Sequence, residues 1–580
     1  MSTQQNSGVQ AQDMQRPSKT AIINSALWSA YGDALGFMSE LADASTLRRR
    51  IHADRVSRTI SWSRGIGGRF GATIELPAGC YSDDTQLRLA TSRAIRADGY
   101  FDVEVFAKIE LPVWLSYSLG GGTSTKTAAS SLTHVDVNWF SNFFSVKRSS
   151  YLDGGGNGAA MRIQPHVWAA GASSREAILR NVLRNSVCTH GHPRGIAGAC
   201  FHALCLLAAL QSGDVPGPTV WREVVAALPE ICAILRRDND LAAFWVPVWQ
   251  ERSRSELDKA FEQVRRECMD DIAVAEQFVE GDPRVSYERM AQAIGALKSD
   301  VRGSGTKTSI LACALSWLFR NESPAEALVT AANLLDSDTD TIATMAGAIS
   351  GAVSNSPPDG DLLDREYIER EAVRLWEVST GEPTLSFEYP DLLKWRPPKT
   401  MLDAVGLAHG SIAVVGLGEA RTVSPKWQSR TNDGTSWQWL KLPFGQTVLA
   451  KQREALTELT PGNLTRSQPS TIKQPHNKGN TPQMEHQPEL FTVNSAKNDD
   501  RKQQIPVRQR TLDELTTEAI KAGFNYGIIG KHVMELAERS DGIELAIAYV
   551  AVIAKAKKAR LQAQAAKKET ELKSSQPTAE

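Results

Sequence analysis

Two short acidic stretches, each followed at once by an apolar helical pattern, constrain this chain more than any other feature. Residues 81–86 read Tyr-Ser-Asp-Asp-Thr-Gln, and residues 334–343 read Leu-Leu-Asp-Ser-Asp-Thr-Asp-Thr-Ile-Ala. After both stretches, apolar residues recur with the spacing of an amphipathic helix. We therefore expect the acids at helix N-termini, where the helix dipole favours negative charge and Asp or Thr can cap free N–H groups.

The number of carboxylates in these stretches exceeds what capping requires. One side-chain oxygen is enough to cap a helix, whereas the two stretches carry five Asp between them. Such a concentration of like charge is costly unless cations neutralise it, and ligand sets made only of oxygen suit Mg²⁺, Mn²⁺ or Ca²⁺. For either stretch alone, an ordinary acidic cap on the surface remains an equally good interpretation.

A third motif shifts the balance towards a shared site. Residues 30–40 read Ala-Tyr-Gly-Asp-Ala-Leu-Gly-Phe-Met-Ser-Glu, which we interpret as a helix end followed by a glycine-bearing loop and one more carboxylate. The three motifs in this order, with Gly-Ala-Ile-Ser-Gly-Ala at 347–352, resemble those of the ADP-ribosylglycohydrolase family. That family includes the dinitrogenase reductase-activating glycohydrolases, and the resemblance covers roughly residues 20 to 355.

The resemblance implies an orthogonal multi-helix, all-α core and a centre of two Mg²⁺ (or Mn²⁺) ions. It also implies catalytic roles for Glu40, Asp83 and Asp340, with Glu40 as the flexible-loop carboxylate that contacts metal or water. One departure is that Asp336 and Ser337 replace two glycines usual in the family; we expect Asp336 to cap the turn, and crowding of the metal is the alternative. The residues matched to metal ligands are Ser82, Asp83, Asp84, Asp338, Asp340 and Thr341.

A glycine-rich stretch at 153–162, Asp-Gly-Gly-Gly-Asn-Gly-Ala-Ala-Met-Arg, is the candidate substrate loop. Consecutive glycines let a backbone approach a ligand closely, although a plain turn has the same composition. The resemblance places this loop, and a Thr-His pair at 189–190, around ADP-ribose, while His192 could equally be structural. Residues 303–307 lack the spacing of a phosphate loop, so we predict a turn at the pocket rim that opens a helix. The substrate-binding candidates are Gly154, Gly155, Gly156, Asn157, Gly158 and His190.

Bulk properties limit the partners and the compartment. The 580 residues carry a formal net charge of −1, so no global field recruits nucleic acid or an anionic membrane. Seven scattered cysteines without a Cys-x-x-Cys pair indicate reduced thiols, a cytoplasmic location and no zinc site. Neither an apolar signal core nor a run long enough to span a bilayer is present in the sequence, so we expect no membrane association.

The composition changes along the chain and predicts five segments. Within the predicted catalytic domain, the basic residues 48–69 contain several glycines and favour a solvated surface loop, with a flexible loop beside the site as the alternative. The predicted β-rich appendage contains Asn-Asp-Gly at 432–434 and two alternating Trp, which predict a β-hairpin. The predicted C-terminal helical module begins with a capping box at 511–514, and it is so short that its core needs a partner or self-association to be stable. The segments are a disordered N-terminus (1–20), a catalytic domain (21–400), a small β-rich appendage (401–455), a disordered linker (456–510) and a C-terminal helical module (511–580).

The sequence thus predicts a metal-dependent hydrolase that removes ADP-ribose from a protein side chain or another acceptor. Its expected partner is an ADP-ribosylated protein or an ADP-ribosyl small molecule. Two alternatives stay open: a non-catalytic sensor that binds ADP-ribose-like nucleotides, and a hydrolase of a free ADP-ribosyl or N-riboside metabolite. The complete set of matched ligands counts against the sensor, because binding alone needs no water-activating pair.

Overall fold

The computed structural model describes residues 16–147, 149–171, 173–431, 433–465, 510–539, 542, 545–557 and 560. The chain forms two compact units, Met1–Arg466 and Ser467–Glu580. The predicted N-terminal disorder falls largely on residues 1–15, which lie outside the described residues, as do residues 466–509 of the predicted linker.

The first unit is built mainly from helices, which confirms the predicted all-α core. Its helices are α1 Lys19–Ser39, α2 Ala44–Ile51, α3 Asp83–Arg93, α4 Val103–Val105, α5 Leu111–Trp114, α6 Thr123–Ser131, α7 Gln164–Trp168, α8 Arg175–Val187, α9 Pro193–Ser212, α10 Pro218–Ala226, α11 Glu230–Arg237, α12 Val246–Ser253, α13 Leu257–Ala275, α14 Pro283–Ala293, α15 Gly305–Leu318, α16 Pro324–Ala332, α17 Thr339–Ala352 and α18 Arg365–Thr380.

Helices α1 and α17 form the central antiparallel pair of this unit, and their backbones lie in contact. A Cβ at Gly32 would lie 2.3 Å from the carbonyl oxygen of Ala343, and one at Gly347 would lie 2.3 Å from that of Trp28. Since Cβ atoms do not approach an oxygen so closely, only glycine allows this separation. Side-chain hydroxyls bridge the two helices as well: Ser25 Oγ donates to the Ala348 carbonyl at 2.7 Å.

This packing corrects the interpretation of residues 30–40 as a helix end with a glycine-bearing loop. Helix α1 runs without a break to Ser39, and Gly32 and Gly36 lie inside it. The glycines serve close helix packing instead of loop flexibility. The chain turns only after Glu40, where the exposed Leu41 adopts a positive φ of 53°, the left-handed conformation common just beyond a helix C-terminus.

The helices that follow the two acidic stretches were expected to be amphipathic, and this prediction is wrong. Every residue of α3 and of α17 is buried, including the polar ones. The periodic apolar residues form only one side of each helix. The other sides pack through small residues or through hydrogen-bonded polar ones, such as the Arg88 guanidinium, which donates to Thr85 Oγ1 at 3.0 Å. Both helices are therefore central elements of the core.

Helix α9 is long and apolar enough to match a membrane span by length and composition, and most of it is buried inside the first unit. It packs against α15, α8 and α17. Apolar helices of this kind are typical of the interior of a large helical domain. Its N-terminus, at Pro193, and that of α15, at Gly305, both point to the glycine-rich stretch, since the Gly305 N–H donates to the Gly155 carbonyl at 3.0 Å.

The strands are short and antiparallel. A hairpin of β1 and β2 precedes α3, and β3 pairs with β4. In the appendage, β5, β6 and β7 form one sheet, while β10 pairs with β11, β8 and β9. The predicted hairpin around 432–434 is confirmed, because Trp437 pairs with Trp427. The strands are β1 Trp62–Ile66, β2 Ala72–Leu76, β3 Ser145–Val146, β4 Ser149–Ser150, β5 Val405–Ala408, β6 Ser411–Val414, β7 Gly418–Glu419, β8 Arg421–Thr422, β9 Trp427–Gln428, β10 Thr435–Lys441 and β11 Thr447–Arg453.

The appendage belongs to the first unit and is anchored to it by buried polar contacts. Asp364, just before α18, accepts hydrogen bonds from Lys441 Nζ at 2.7 Å, Thr447 Oγ1 at 2.7 Å and Tyr81 Oη at 2.9 Å. Residues 456–465, which we assigned to the linker, also belong here. Leu459 packs on the core, and its N–H donates to the Leu407 carbonyl at 2.8 Å, so the ordered chain continues past the predicted boundary.

The second unit contains α19 Leu512–Lys521 and α20 Tyr526–Ala537, followed by helical residues 545–557. The predicted capping box is confirmed, because Thr511 and Glu514 exchange side-chain-to-backbone hydrogen bonds of 2.8 and 3.2 Å. Leu515, Leu536 and Tyr549 belong to a small separate core. The predicted start of the last helix, at 541–544, lies largely outside the described residues.

The contact between α1 and α17 predicts an unusual effect of a small substitution. Helix propensity alone favours Ala over Gly by about 1 kcal/mol. We nevertheless expect Gly347→Ala to lower the free energy of unfolding by about 1–3 kcal/mol, because the new methyl group forces the helices apart. Urea or thermal unfolding followed by circular dichroism measures this change. Gly65→Ala is the control, since nothing lies within 4 Å of its Cβ position; equal stabilities of both variants would contradict the prediction.

Candidate active site

A cavity of about 930 Å³ lies where α1 ends, where α3, α15 and α17 begin, and where the glycine-rich loop turns. Most of the residues predicted from the sequence line it, although they come from segments far apart in the chain. They are Glu40, Asp83, Asp84, Gly155, Gly156, Asn157, Gly158, His190, Asp338, Asp340 and Thr341.

Two predicted residues lie beside the cavity without lining it. Ser82 is the N-cap of α3 and is fully buried, and its Oγ accepts a hydrogen bond from the Asp84 N–H at 3.2 Å. Gly154 lies behind the loop, where its N–H donates to the Tyr151 carbonyl at 3.3 Å. Asp336, the residue that departs from the family pattern, is exposed and outside the lining, so it does not crowd the carboxylates.

Asp83 and Asp84 occupy the first turn of α3 and are held there by backbone contacts. The Asp83 N–H donates to the Leu119 carbonyl at 2.7 Å, and the loop at Gly120 passes so close that a Cβ there would lie 2.6 Å from Asp83 Oδ1. Asp84 Oδ1 accepts a long hydrogen bond of 3.4 Å from Thr341 Oγ1, while its Oδ2 is buried and has no hydrogen-bond partner among the described residues.

Helix α17 supplies the other two carboxylates. Asp338 is its N-cap, and Asp338 Oδ2 accepts a hydrogen bond of 2.8 Å from Asn157 Nδ2 of the glycine-rich loop. Asp340, two residues further in the first turn, is buried, and its Oδ1 accepts the Thr341 N–H at 2.9 Å. The close approach of Gly36 in α1, where a Cβ would lie 2.4 Å from Asp340 Cα, fixes this turn against α1.

The four carboxylates share an environment that opposes ionisation. Burial is the largest cause that raises the pKa of Asp83, Asp84, Asp338 and Asp340, and neighbouring acids raise it further. For Asp340, these neighbours are Glu40, Asp338 and Asp84. Lys126 opposes this rise at Asp83, and Arg302 opposes it at Asp338, but the pKa of both carboxyls stays raised because burial is the larger cause.

Asp33 is a further acid of the cluster that sequence reasoning did not select. It lies in α1, is fully buried, and accepts hydrogen bonds from the N–H groups of Ser82 at 2.9 Å and Thr85 at 2.8 Å. It thereby holds the start of α3 against α1, although burial raises its own pKa. The sequence did contain a signal for this residue, namely its position between the two glycines through which α1 packs. A carboxylate on a buried helix needs hydrogen-bond donors that are buried as well, which indicates a specific partner.

Glu40 forms an ion pair that links the cavity to the β1–β2 hairpin. Arg64 Nη1 donates to Glu40 Oε2 at 2.8 Å, and both side chains are only about one-seventh exposed, at 15% and 14%. Arg64 belongs to the region predicted as a solvated surface loop, and the structure shows a hairpin beside the site instead. Alternating burial along β2 explains why this stretch pairs and does not stay a loop.

The glycine-rich loop and His190 form the opposite side of the cavity. The Asn157 N–H donates to the Gly303 carbonyl at 2.9 Å, which places residues 303–307 at the rim, as predicted. Arg162 is buried and holds this side together: it donates to the Gly158 carbonyl at 3.1 Å and to Thr189 Oγ1 at 2.8 Å. Burial, and secondly Arg162, lower the pKa of His190 to about 3, so that its imidazole is neutral.

His192 has a structural contact, one of the two interpretations that the sequence left open, and also lies at the cavity. It lines the cavity, and its Nδ1 accepts the Arg194 N–H at 3.1 Å as the N-cap of α9.

The donors present fit a hard divalent cation. The cavity offers carboxylate and hydroxyl oxygens, one of which, Asp84 Oδ2, is buried without a hydrogen-bond partner among the described residues. Oxygen donors of this kind suit Mg²⁺ or Mn²⁺, and a cation would relieve the repulsion described above. Within the described residues, no three His, Cys, Asp or Glu side chains are already drawn together as a closed ligand set. Mutual repulsion of uncompensated carboxylates opposes such a set.

Comparisons with known proteins identify a family model and two similar proteins. An ADP-ribosylglycohydrolase family model matches residues 18–383. The uncharacterized protein YegU of Escherichia coli (strain K12) is 25% identical over 346 residues, which cover 58% of this chain and 88% of the relative. A solved structure described as an ADP-ribosylglycohydrolase-related protein complex is 20% identical, with a TM-score of 0.37, and the match covers 62% of this chain and 98% of that one. Since the family model spans more than half of the chain, this protein is a member of the ADP-ribosylglycohydrolase family.

Proposed function

We propose that this protein removes ADP-ribose from a modified protein side chain or another acceptor by hydrolysing the glycosidic bond at the distal ribose. Family membership supports glycohydrolase activity in general. The observation that carries the specific proposal is the convergence of buried carboxylates from α3 and α17 with a glycine-rich loop in one cavity. In this cavity the carboxylates would form the hydrolytic centre, and the glycine-rich loop would let its backbone contact the ligand closely.

The carboxylates would hold the metal, and their positions support the roles that we propose for them. Asp83, Asp84, Asp338, Asp340 and Thr341 offer oxygens to the cavity, and Ser82 would contribute only if its Oγ left the N-cap of α3. Two bound Mg²⁺ (or Mn²⁺) ions would supply Lewis acidity, which lowers the pKa of water and orients ribose hydroxyls. These residues would also provide the anionic surroundings that an oxocarbenium-like transition state requires.

Glu40 is the best-placed residue to manage a proton. It lines the cavity next to the cluster, and Arg64 orients its carboxylate from the β1–β2 hairpin. Burial raises the pKa of Asp83 and of Asp340, and the nearby charge of Glu40 raises both further. We assign Glu40 to proton transfer and Asp83 and Asp340 to the orientation of the attacking water and the ribose.

The glycine-rich loop and His190 would bind ADP-ribose. Gly155, Gly156 and Gly158 present backbone without side chains, which suits close approach of ribose and diphosphate. A neutral His190 can accept or donate one hydrogen bond without adding charge. Asn157 already contacts Asp338, so ligand binding and the carboxylate cluster are joined by one hydrogen bond. We place the reaction in the cytoplasm, a proposal supported by cysteines that are all unpaired and buried.

The first test is the requirement for metal. Excess chelator should abolish release of ADP-ribose from an ADP-ribosylated protein, and added Mg²⁺ or Mn²⁺ should restore it, whereas Zn²⁺ should not, because the donors are all oxygen. The fold should remain, since the apolar faces of α1, α9 and α15 do not depend on the cluster. Circular dichroism checks the fold and liquid chromatography measures the product. Undiminished turnover in excess chelator would exclude the proposed centre.

The second test concerns Asp340. Replacing it with Ala removes an anionic ligand, so we expect weaker metal binding and a loss of turnover by orders of magnitude. Metal-free stability should stay the same or rise, because burial and neighbouring acids raise the pKa of this group and its removal relieves repulsion. Isothermal titration with Mn²⁺, kinetics and thermal unfolding measure the three effects.

Asp336→Ala is the matched control, since Asp336 is exposed and lies outside the cavity lining. It should keep near-normal turnover. An active Asp340→Ala together with an inactive Asp336→Ala would show that the ligand positions are shifted along the chain.

The third test removes the second unit. Every proposed site residue lies before residue 342, within the first unit. A chain ending at Arg466 should therefore keep turnover of a small ADP-ribosylated substrate within a few-fold of the full chain. Loss of turnover in a truncated protein that still unfolds cooperatively would make residues 467–580 part of the site.

A further inference from the structure

A second large groove, of about 1000 Å³, lies on the first unit between the helical core and the β-rich appendage. We call it the lysine groove, after Lys126, Lys399 and Lys451 in its lining. It is distinct from the carboxylate cavity, with which it shares no lining residue. The family match ends at residue 383, so the appendage that forms one of its walls lies outside the matched region.

The charge of the lysine groove is uniformly positive. None of its lining residues is Asp or Glu, and hydroxyls of Ser and Thr fill much of the remaining polar surface. Among the described residues, neither Lys126 nor Lys399 forms an ion pair within 4.0 Å, and Lys451 Nζ lies 5.0 Å above the ring of Trp437. Unpaired ammonium groups along a concave wall attract an anionic partner.

The lysine groove adjoins the carboxylate cavity through two shared elements. The N-terminal part of α6, from Thr123 to Thr125, lines the cavity, whereas Lys126, Thr127 and Ser130 of the same helix line the groove. Lys126 is near enough to Asp83 to oppose the rise in its pKa.

The β1–β2 hairpin is the second shared element. Its Arg64 pairs with Glu40 in the cavity, and its Ile66 and Gly67 line the groove. The tip of the hairpin also touches the appendage, since a Cβ at Gly67 would lie 2.6 Å from the ring of Trp437. A chain lying in the groove would therefore be within a short reach of the carboxylates.

The chemistry of the lining favours a polypeptide over a nucleic acid. Exposed apolar side chains accompany the lysines, with Val146 at 54% and Met401 at 43% exposure. Binding of nucleic acid strands relies on several exposed aromatic rings that stack on successive bases. The Phe and Trp of this lining, Phe144 and Trp437, are buried, at 9% and 5% exposure, which leaves the imidazole of His134 as the single exposed ring of the lining. Mixed apolar and cationic surface matches a peptide that carries both acidic and apolar residues.

We propose that the lysine groove binds an acidic segment of the ADP-ribosylated acceptor polypeptide, next to the modified side chain. This inference rests on the proposed function, because it names the acceptor side of that reaction. It makes the appendage a specificity element: the carboxylate cavity takes the ADP-ribose, and the groove selects acceptors by the charge around the modified residue.

The first experiment measures binding without catalysis. A fluorescein-labelled ten-residue peptide of alternating Glu and Leu is titrated with the full chain, and anisotropy gives the Kd. We expect Lys399→Glu to weaken binding about tenfold, because it reverses an exposed charge of the groove, and added salt should weaken the wild-type complex. Lys426→Glu is the matched control, since Lys426 is an exposed lysine of the appendage that lies outside the groove, and this variant should bind as the wild type does.

A second experiment separates the groove from the reaction centre. Lys399→Glu should lower kcat/KM about tenfold on an ADP-ribosylated acidic peptide and leave it unchanged on a free ADP-ribosylated amino acid. If neither substrate is hydrolysed by the wild type, the proposed function fails, and the binding experiment still decides about the groove.

Three outcomes would overturn the proposal. The first is that the wild type does not bind the acidic peptide, and the second is that wild type and Lys399→Glu bind it equally well. The third is that the wild type binds a ten-nucleotide oligothymidine more tightly than the peptide and that Lys399→Glu abolishes this binding. The last would assign the groove to nucleic acid.

Discussion

The contact between α1 and α17 is the interaction on which the rest of the structure depends. Glycines on each helix face backbone on the other, so the two run antiparallel at a separation that a single methyl group would disturb. Because the helices are antiparallel, the C-terminal end of α1 meets the N-terminal end of α17. Glu40 is thereby carried to Asp338 and Asp340, and Asp33 to the start of α3. Tight packing in one part of the core sets the geometry of the carboxylates in another.

The acidic cluster is a cost to the fold that the surrounding structure has to offset. Burial above all, together with the charge of nearby carboxylates such as Glu40 and Asp33, raises the pKa of its four aspartates, and Asp84 Oδ2 is left without a hydrogen bond among the described residues. Helix N-termini, where both pairs of acids lie, provide partial positive charge, and Asn157 provides a neutral donor. Neither neutralises several carboxylates. An acidic cluster that opposes stability, yet lies on helices whose every residue is buried, is typical of a functional site.

The β-rich appendage connects to the site at two levels. Asp364 joins strands β10 and β11 to Tyr81, the neighbour of the N-cap Ser82, so the sheet supports the start of α3. At the surface, the same sheet forms one wall of the lysine groove, and α6 and the β1–β2 hairpin form others. The appendage therefore supports the carboxylate cavity and adds a positively charged surface to the same unit.

The sequence by itself determined the identity of the fold and most of the candidate site. Acids at the first turns of α3 and α17, the glycine-rich loop, the appendage hairpin and the capping box of α19 are local features, in which capping, turn geometry and periodicity act within a few residues. The order of the motifs suggested the family, and the match to the family model confirms that the chain belongs to it.

Only the tertiary structure decided the rest. The glycines of residues 30–40 pack inside α1 and do not form a loop, because close packing and flexibility call for the same residue. Asp33, Arg64 and Arg162 act through partners distant in the chain, so no local pattern marks them. The lysine groove combines residues from 66 to 451, which no spacing in the sequence connects. Short-range rules fix where helices begin and turns form, whereas burial and electrostatic neighbourhood exist only once the chain has folded.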